Sequence, residues 1–145
     1  MLFLFTLLAC QDTEPKPQGL EPTFEIPTDG PSYIPVAEVK AEFDRGAGFY
    51  FLDARPQPDY DLQHIVGAYS IPFYDVEAQF YRFPKDVWYI AYCACPHAES
   101  GIVANYFWDN GHEKVAILDE GYLVWEELGY PTEGTEPPIE EDTGQ

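Results

Sequence analysis

The sequence is poor in positive charge. Across 145 residues, 7 Lys and Arg stand against 26 Asp and Glu, for a formal net charge of −19. A nucleic-acid interface needs Lys and Arg to displace counterions from phosphates, so that partner class is excluded. Cysteine is also scarce. Three are too few for a disulfide-stapled scaffold, and an odd number cannot pair completely within one chain. No apolar run reaches the roughly 20 residues needed to cross a bilayer, and there is no internal repeat. What is present is apolar mass: 46% of the residues are hydrophobic and 17% aromatic. That is enough to offset the ordering entropy that keeps polar chains unfolded, and the length suits one domain with tails.

The two ends hold much of the charge. Residues 1–10 form a short apolar run that reads as the hydrophobic part of a secretion signal. Leu7-Leu8-Ala9-Cys10 resembles the bacterial lipobox, whose cysteine accepts a diacylglycerol and becomes the mature N-terminus, although no Lys or Arg precedes the run. The resemblance implies a signal peptide over 1–9, lipidation at Cys10 and a place on the non-cytoplasmic side of the bacterial cell envelope. A Pro- and Glu-rich stretch over 10–31 reads as a solvated tether, and the acidic segment 132–145 as a disordered tail. Between them, residues 32–131 hold sixteen acids and six bases.

Within that core, apolar runs alternate with helical periodicity. Residues 36–43 read as a helix stopped by Gly46 and Gly48, and 49–52 as a buried strand ending at Asp53. A short helix over 59–64, a strand over 68–71 and a helix over 74–81 follow. The strongest strand, 87–92, runs into Cys93-Ala94-Cys95-Pro96-His97-Ala98-Glu99-Ser100. A helix over 101–110, a strand over 115–118 and a helix over 122–128 complete the series. Alternating strands and helices predict an α/β fold, a parallel sheet covered on both faces.

These residues resemble the rhodanese-like domains. Phe51-Leu52-Asp53-Ala54-Arg55, Tyr60, His64-Ile65-Val66-Gly67-Ala68 and Ile71-Pro72 look like the family's first signature block. Tyr92-Cys93 looks like its catalytic position, and Leu118-Asp119-Glu120-Gly121-Tyr122-Leu123-Val124-Trp125 like its C-terminal block. The resemblance covers about residues 33–131 and implies a five-stranded parallel sheet. It further implies a nucleophilic Cys93 that takes a sulfane sulfur from a small donor and passes it to a thiol acceptor, without a cofactor. Helix N-termini and loop N–H groups stabilise an anion at such a position and favour the thiolate.

The loop departs from that pattern. Ala94, Cys95, Pro96, His97, Ala98, Glu99 and Ser100 include no Lys, Arg or Gly, and Glu99 adds negative charge beside the thiol. A dianionic donor such as thiosulfate is repelled by such a site. Cys95, one residue past its neighbour, offers a resolving thiol for a redox relay. Cys93, Cys95 and His97 are ligand types that suit a soft metal, but no fourth ligand is identifiable, so no metal is expected. Asp53 and Arg55 read either as substrate-binding or as structural, with Asp59, Asp61 or Glu99 as the expected ion-pair partner of Arg55. His64 reads as a framework residue, His112 as a solvated turn residue and Trp125 as packing. Three classes of function remain open: a sulfurtransferase or thiol-redox enzyme, a degenerate binding module, and a thiol-based metal or redox sensor.

Overall fold

The computed structural model describes residues 14–94 and 97–135. Five strands form a parallel sheet: β1 (Ser32–Ile34), β2 (Phe49–Asp53), β4 (Tyr69–Ser70), β5 (Trp88–Tyr92) and β6 (Val115–Leu118), in the order β1-β6-β5-β2-β4. Two-residue β3 (His64–Ile65) pairs antiparallel with β7 (Thr132–Glu133). The helices are α1 (Val36–Asp44), α2 (Gln57–Leu62), α3 (Val76–Gln79), α4 (Ala98–Asp109) and α5 (Gly121–Glu127), with a 3₁₀ turn at Phe80–Arg82.

Side chains on a strand alternate between faces, and β5 shows the consequence. Tyr89, Ala91 and Cys93 join the core under α3 and α4, with Val103, Ala104 and Phe107. Trp88, Ile90 and Tyr92 join the opposite core under α1 and α5, with Val39, Tyr122 and Trp125. Both faces of β5 are therefore apolar, as a parallel strand sandwiched between helices requires. The first turn of α1 has Pro35 at its cap, with no side chain to accept its N–H groups; Glu120 Oε2 takes the Val36 N–H at 2.7 Å instead. This bond ties the loop after β6 to the end of β1.

Parts of the expected tether (10–31) and tail (132–145) are folded, while residues 10–13 and 136–145 lie outside the described residues. Residues 14–31 do not run free where they are described. Phe24 is 5% exposed, its ring edge-on to Trp88 at 5.2 Å, and Leu20 bridges to Ala47 beside β2. Thr23 Oγ1 donates to Glu42 at 2.6 Å, and Glu14 N–H donates to the Arg82 carbonyl at 2.7 Å. This strap is extended and irregular, so it carries no periodic pattern, and one aromatic with a few polar bonds holds it. Likewise Thr132–Glu133 belongs to the fold, since β7 pairs with β3. The expected helix over 74–81 divides into α3 and the 3₁₀ turn, and the helix expected from 101 begins at Ala98. No described helix is long and apolar enough to cross a membrane.

Candidate active site at the carboxyl edge of the sheet

The parallel strands all end on one edge, where the loops to the following helices gather. Asp53 at the end of β2 lies in register with Tyr92 at the end of β5, and the Ala54 N–H donates to the Tyr92 carbonyl at 2.8 Å. Cys93 follows directly. Strand alternation turns its side chain toward α4, where Sγ lies 3.2 Å from the Ser100 hydroxyl. Both residues are buried, at 2% and 1% exposure. Because α4 begins at Ala98, Ser100 sits in its first turn, at the positive end of the helix dipole. The Cys93 thiol donates to the Ser100 hydroxyl oxygen, whose own O–H is free to rotate toward the sulfur.

The start of α5 fixes the beginning of the loop. The Tyr122 N–H donates to the Cys93 carbonyl at 2.9 Å and the Leu123 N–H to the Ala94 carbonyl at 3.4 Å. Gly121 makes this approach possible. Its φ is +76°, and a Cβ there would lie 2.9 Å from the Cys93 carbonyl oxygen and 3.0 Å from that of Ala94. In the sequence this approach is marked only by Asp119-Glu120-Gly121-Tyr122, a glycine between an acidic pair and an aromatic helix.

Arg55 departs from its expected pairing. Its guanidinium clamps Asp53, Nε to Oδ1 at 3.0 Å and Nη2 to Oδ2 at 2.6 Å, and donates to the Gln63 carbonyl at 2.7 Å. It also lies 3.9 Å from the centre of the Tyr122 ring. Burial works to lower the Arg55 pKa, but the Asp53 carboxylate prevails and holds it above its ordinary value. The partner is therefore Asp53, not Asp59, Asp61 or Glu99.

His97, the one potential cation of the loop, also turns aside. It has φ +57°, its Nε2 lies 3.1 Å from an Asp119 carboxylate oxygen, and its ring packs on Tyr33. Glu99 is half-buried, and its pKa is raised, first by burial and then by Asp59 and Asp53, with Arg55 opposing. Asp53, Asp59, Glu99 and Asp119 thus gather at the carboxyl edge of the sheet. Ala98 is exposed on the first turn of α4. Cys95 and Pro96 lie outside the described residues, as does Cys10, so the resolving thiol and the lipidation site have no structural account. Among the described residues, no His, Cys, Asp and Glu cluster fits a metal.

The other histidines are structural. His64 stacks on Tyr60 at 3.7 Å and places Nδ1 2.7 Å from the Tyr60 carbonyl, in keeping with a framework role. His112 is not solvated: it is 1% exposed, with its ring nitrogens 3.1 Å from the carbonyls of Phe83 and Phe107. The backbone there needs a buried donor, which overrides the polar look of the turn. Trp125 is fully buried packing, its indole N–H donating to the Pro131 carbonyl.

Residues 35–128 match the family described as "Rhodanese-like domain". The chain belongs to that family. Among solved structures, the rhodanese-like domain of the Alr3790 protein from Anabaena sp. is 27% identical, with a TM-score of 0.65, covering 81% of this chain and 91% of that one. A crystal structure of the Alr3790 protein is 29% identical at TM-score 0.63, covering 70% and 80%. A rhodanese-related protein from Thermoplasma volcanium, 21% identical at TM-score 0.58 over 70% and 97%, shares the fold. No curated protein matches the chain in sequence. The rhodanese-like fold places Cys93 at the end of its central strand.

Proposed function

We propose that this rhodanese-like domain transfers a sulfane sulfur through Cys93 and takes it from a donor of low charge. The observation that carries the reading is the placement of Cys93 Sγ against the Ser100 hydroxyl in the first turn of α4. In the first step the Cys93 thiolate attacks the outer sulfur of a hydropersulfide, R–S–SH. A Cys93 S–S bond forms, the donor S–S bond breaks, and R–S⁻ leaves and takes up a proton. An acceptor thiolate then attacks the outer sulfur of the Cys93 persulfide, which returns the Cys93 thiolate. No net oxidant or cofactor is required. Cys95 serves in this reading as a thiol that can resolve a persulfide on Cys93 as a disulfide, releasing hydrosulfide. Cys10 carries a lipid that anchors the domain on the non-cytoplasmic side of the bacterial cell envelope.

A second reading, a binding module without turnover, draws on the commitment of Arg55 to Asp53 and the Gln63 carbonyl. Intact-mass measurement after incubation with cysteine hydropersulfide separates the two. Sulfur transfer adds the mass of one sulfur atom, lost in Cys93→Ser. No adduct with hydropersulfide or thiosulfate leaves the binding module.

A further inference from the structure

The charges of this molecule are sorted by edge. Lys16, Arg45, Arg82, Lys85 and Lys114 lie near the edge where strands β2, β5 and β6 begin, and Lys40 lies midway along α1. Four of those five find acceptors: Lys16 on Asp86, Lys114 on Glu21 at 2.7 Å, Arg82 on Glu14 at 3.5 Å, and Arg45 on Glu42 and the Glu21 carbonyl. Arg55 is the one remaining base of the chain, and it is buried and clamped by Asp53. Around Cys93, by contrast, Asp59 is exposed, Glu99 is half-buried and Asp119 is half-buried beside His97. Mutual repulsion from Asp59 and Asp53 contributes to the raised pKa of Glu99, so these carboxylates act on one another.

We infer that the acceptor which takes the sulfur from Cys93 is a thiol bearing positive charge close to its sulfur, and that Glu99 and Asp59 set this preference. The inference rests on the sulfur-transfer reading above. An acidic rim raises the local concentration of a cationic thiol and lowers that of an anionic one, while leaving the bond exchange at sulfur unchanged. Glu99 is in the first turn of α4, one residue before Ser100, and Asp59 is in α2 after β2. They come from two elements at the carboxyl edge of the sheet, and Glu99 is within electrostatic reach of Asp59 and of the Asp53–Arg55 pair. Ser100, in the first turn of α4, lies against Sγ at the buried end of the site, while the neighbouring Glu99 of the same turn acts on the approaching molecule. A small amine thiol has the required chemistry, as does a protein cysteine flanked by Lys or Arg.

The test uses the folded chain loaded with one sulfur from cysteine hydropersulfide, with loading verified by intact mass. Transfer rates are then measured to cysteamine, 2-mercaptoethanol and 3-mercaptopropionate, each corrected for its thiolate fraction. The expected result is an advantage of about tenfold for cysteamine over mercaptopropionate at low salt. The advantage shrinks several-fold at about 0.5 M salt, where the screening length is roughly 4 Å. It shrinks likewise in Glu99→Gln and in Asp59→Asn, but not in Glu113→Gln, an exposed acid before β6 at the opposite edge. A loaded protein whose corrected rates are the same for all three thiols, or whose preference survives salt and both substitutions, overturns the inference and leaves sulfur transfer standing. Failure to load removes both.

Discussion

The two edges of one parallel sheet have opposite electrostatic designs. At the edge where the strands begin, acids and bases meet in pairs across the surface, and a strap from Glu14 to Phe24 supplies partners for several of them. At the edge where the strands end, carboxylates outnumber bases, and the one arginine is drawn under the surface by Asp53. The first arrangement holds a segment in place. The second leaves carboxylates that repel one another, and that repulsion helps to raise the pKa of Glu99. The difference teaches that a net charge read for a whole chain says little until it is assigned to edges.

The largest effect is expected where the edges differ most. Asp53→Asn leaves the Arg55 guanidinium buried without its counter-charge, a change that costs about 3–5 kcal/mol. Denaturant unfolding checks this, and it should be compared with Lys114→Ala. That substitution breaks a surface pair at the other edge and is expected to cost less than about 1 kcal/mol. Equal losses at the two edges would end the distinction drawn between them.

Next comes the strap. Phe24→Ala removes the aromatic that seats residues 14–31 on Trp88 and Phe49, and core truncations of this kind cost about 3 kcal/mol or more. Hydrogen exchange should then show faster exchange in the strap and at the start of β2, with the Cys93 region protected as before. Exchange that stays slow in the strap would show that the ion pairs alone hold it.

The smallest effect concerns Glu99. Its pKa in the fold lies above the ordinary 4.5, through burial and the neighbouring carboxylates. The folded chain therefore holds that proton more firmly than the unfolded chain does. Its stability advantage from Glu99 is complete below about pH 4.5 and is lost as pH rises through the raised value. Glu99→Gln should consequently stabilise the protein at pH 7 by about 0.5 kcal/mol or less, given the solvent screening at this position, and the gain should vanish near pH 4. A gain that persists or grows in acid would contradict the repulsion.

Much of this fold was legible because strands buried on both faces read as continuous apolar runs. Phe49–Leu52 and Val87–Tyr92 are such runs, and Cys93 falls at the end of the second. The three residues of β1, at the sheet border with one exposed face, are too few to show a period. The strap and β7 are held by tertiary contacts rather than local preference, so polar composition pointed to solvent. Arg55 has Asp53, Asp59 and Asp61 within six residues of it. Its actual partner was readable from spacing, because residues two apart on an extended chain point the same way. The burial of His112 had no local signal, since the carbonyls it meets come from α4 and the turn before β5.

The most direct test of the account compares the rate at which cysteine hydropersulfide and thiosulfate load one sulfur onto the protein, followed by intact mass at low and high salt. Loading at Cys93 is expected to be fast from the hydropersulfide and slow from thiosulfate, with the gap narrowing as salt rises and all loading absent in Cys93→Ser. Thiosulfate loading as fast as hydropersulfide loading at low salt would contradict it.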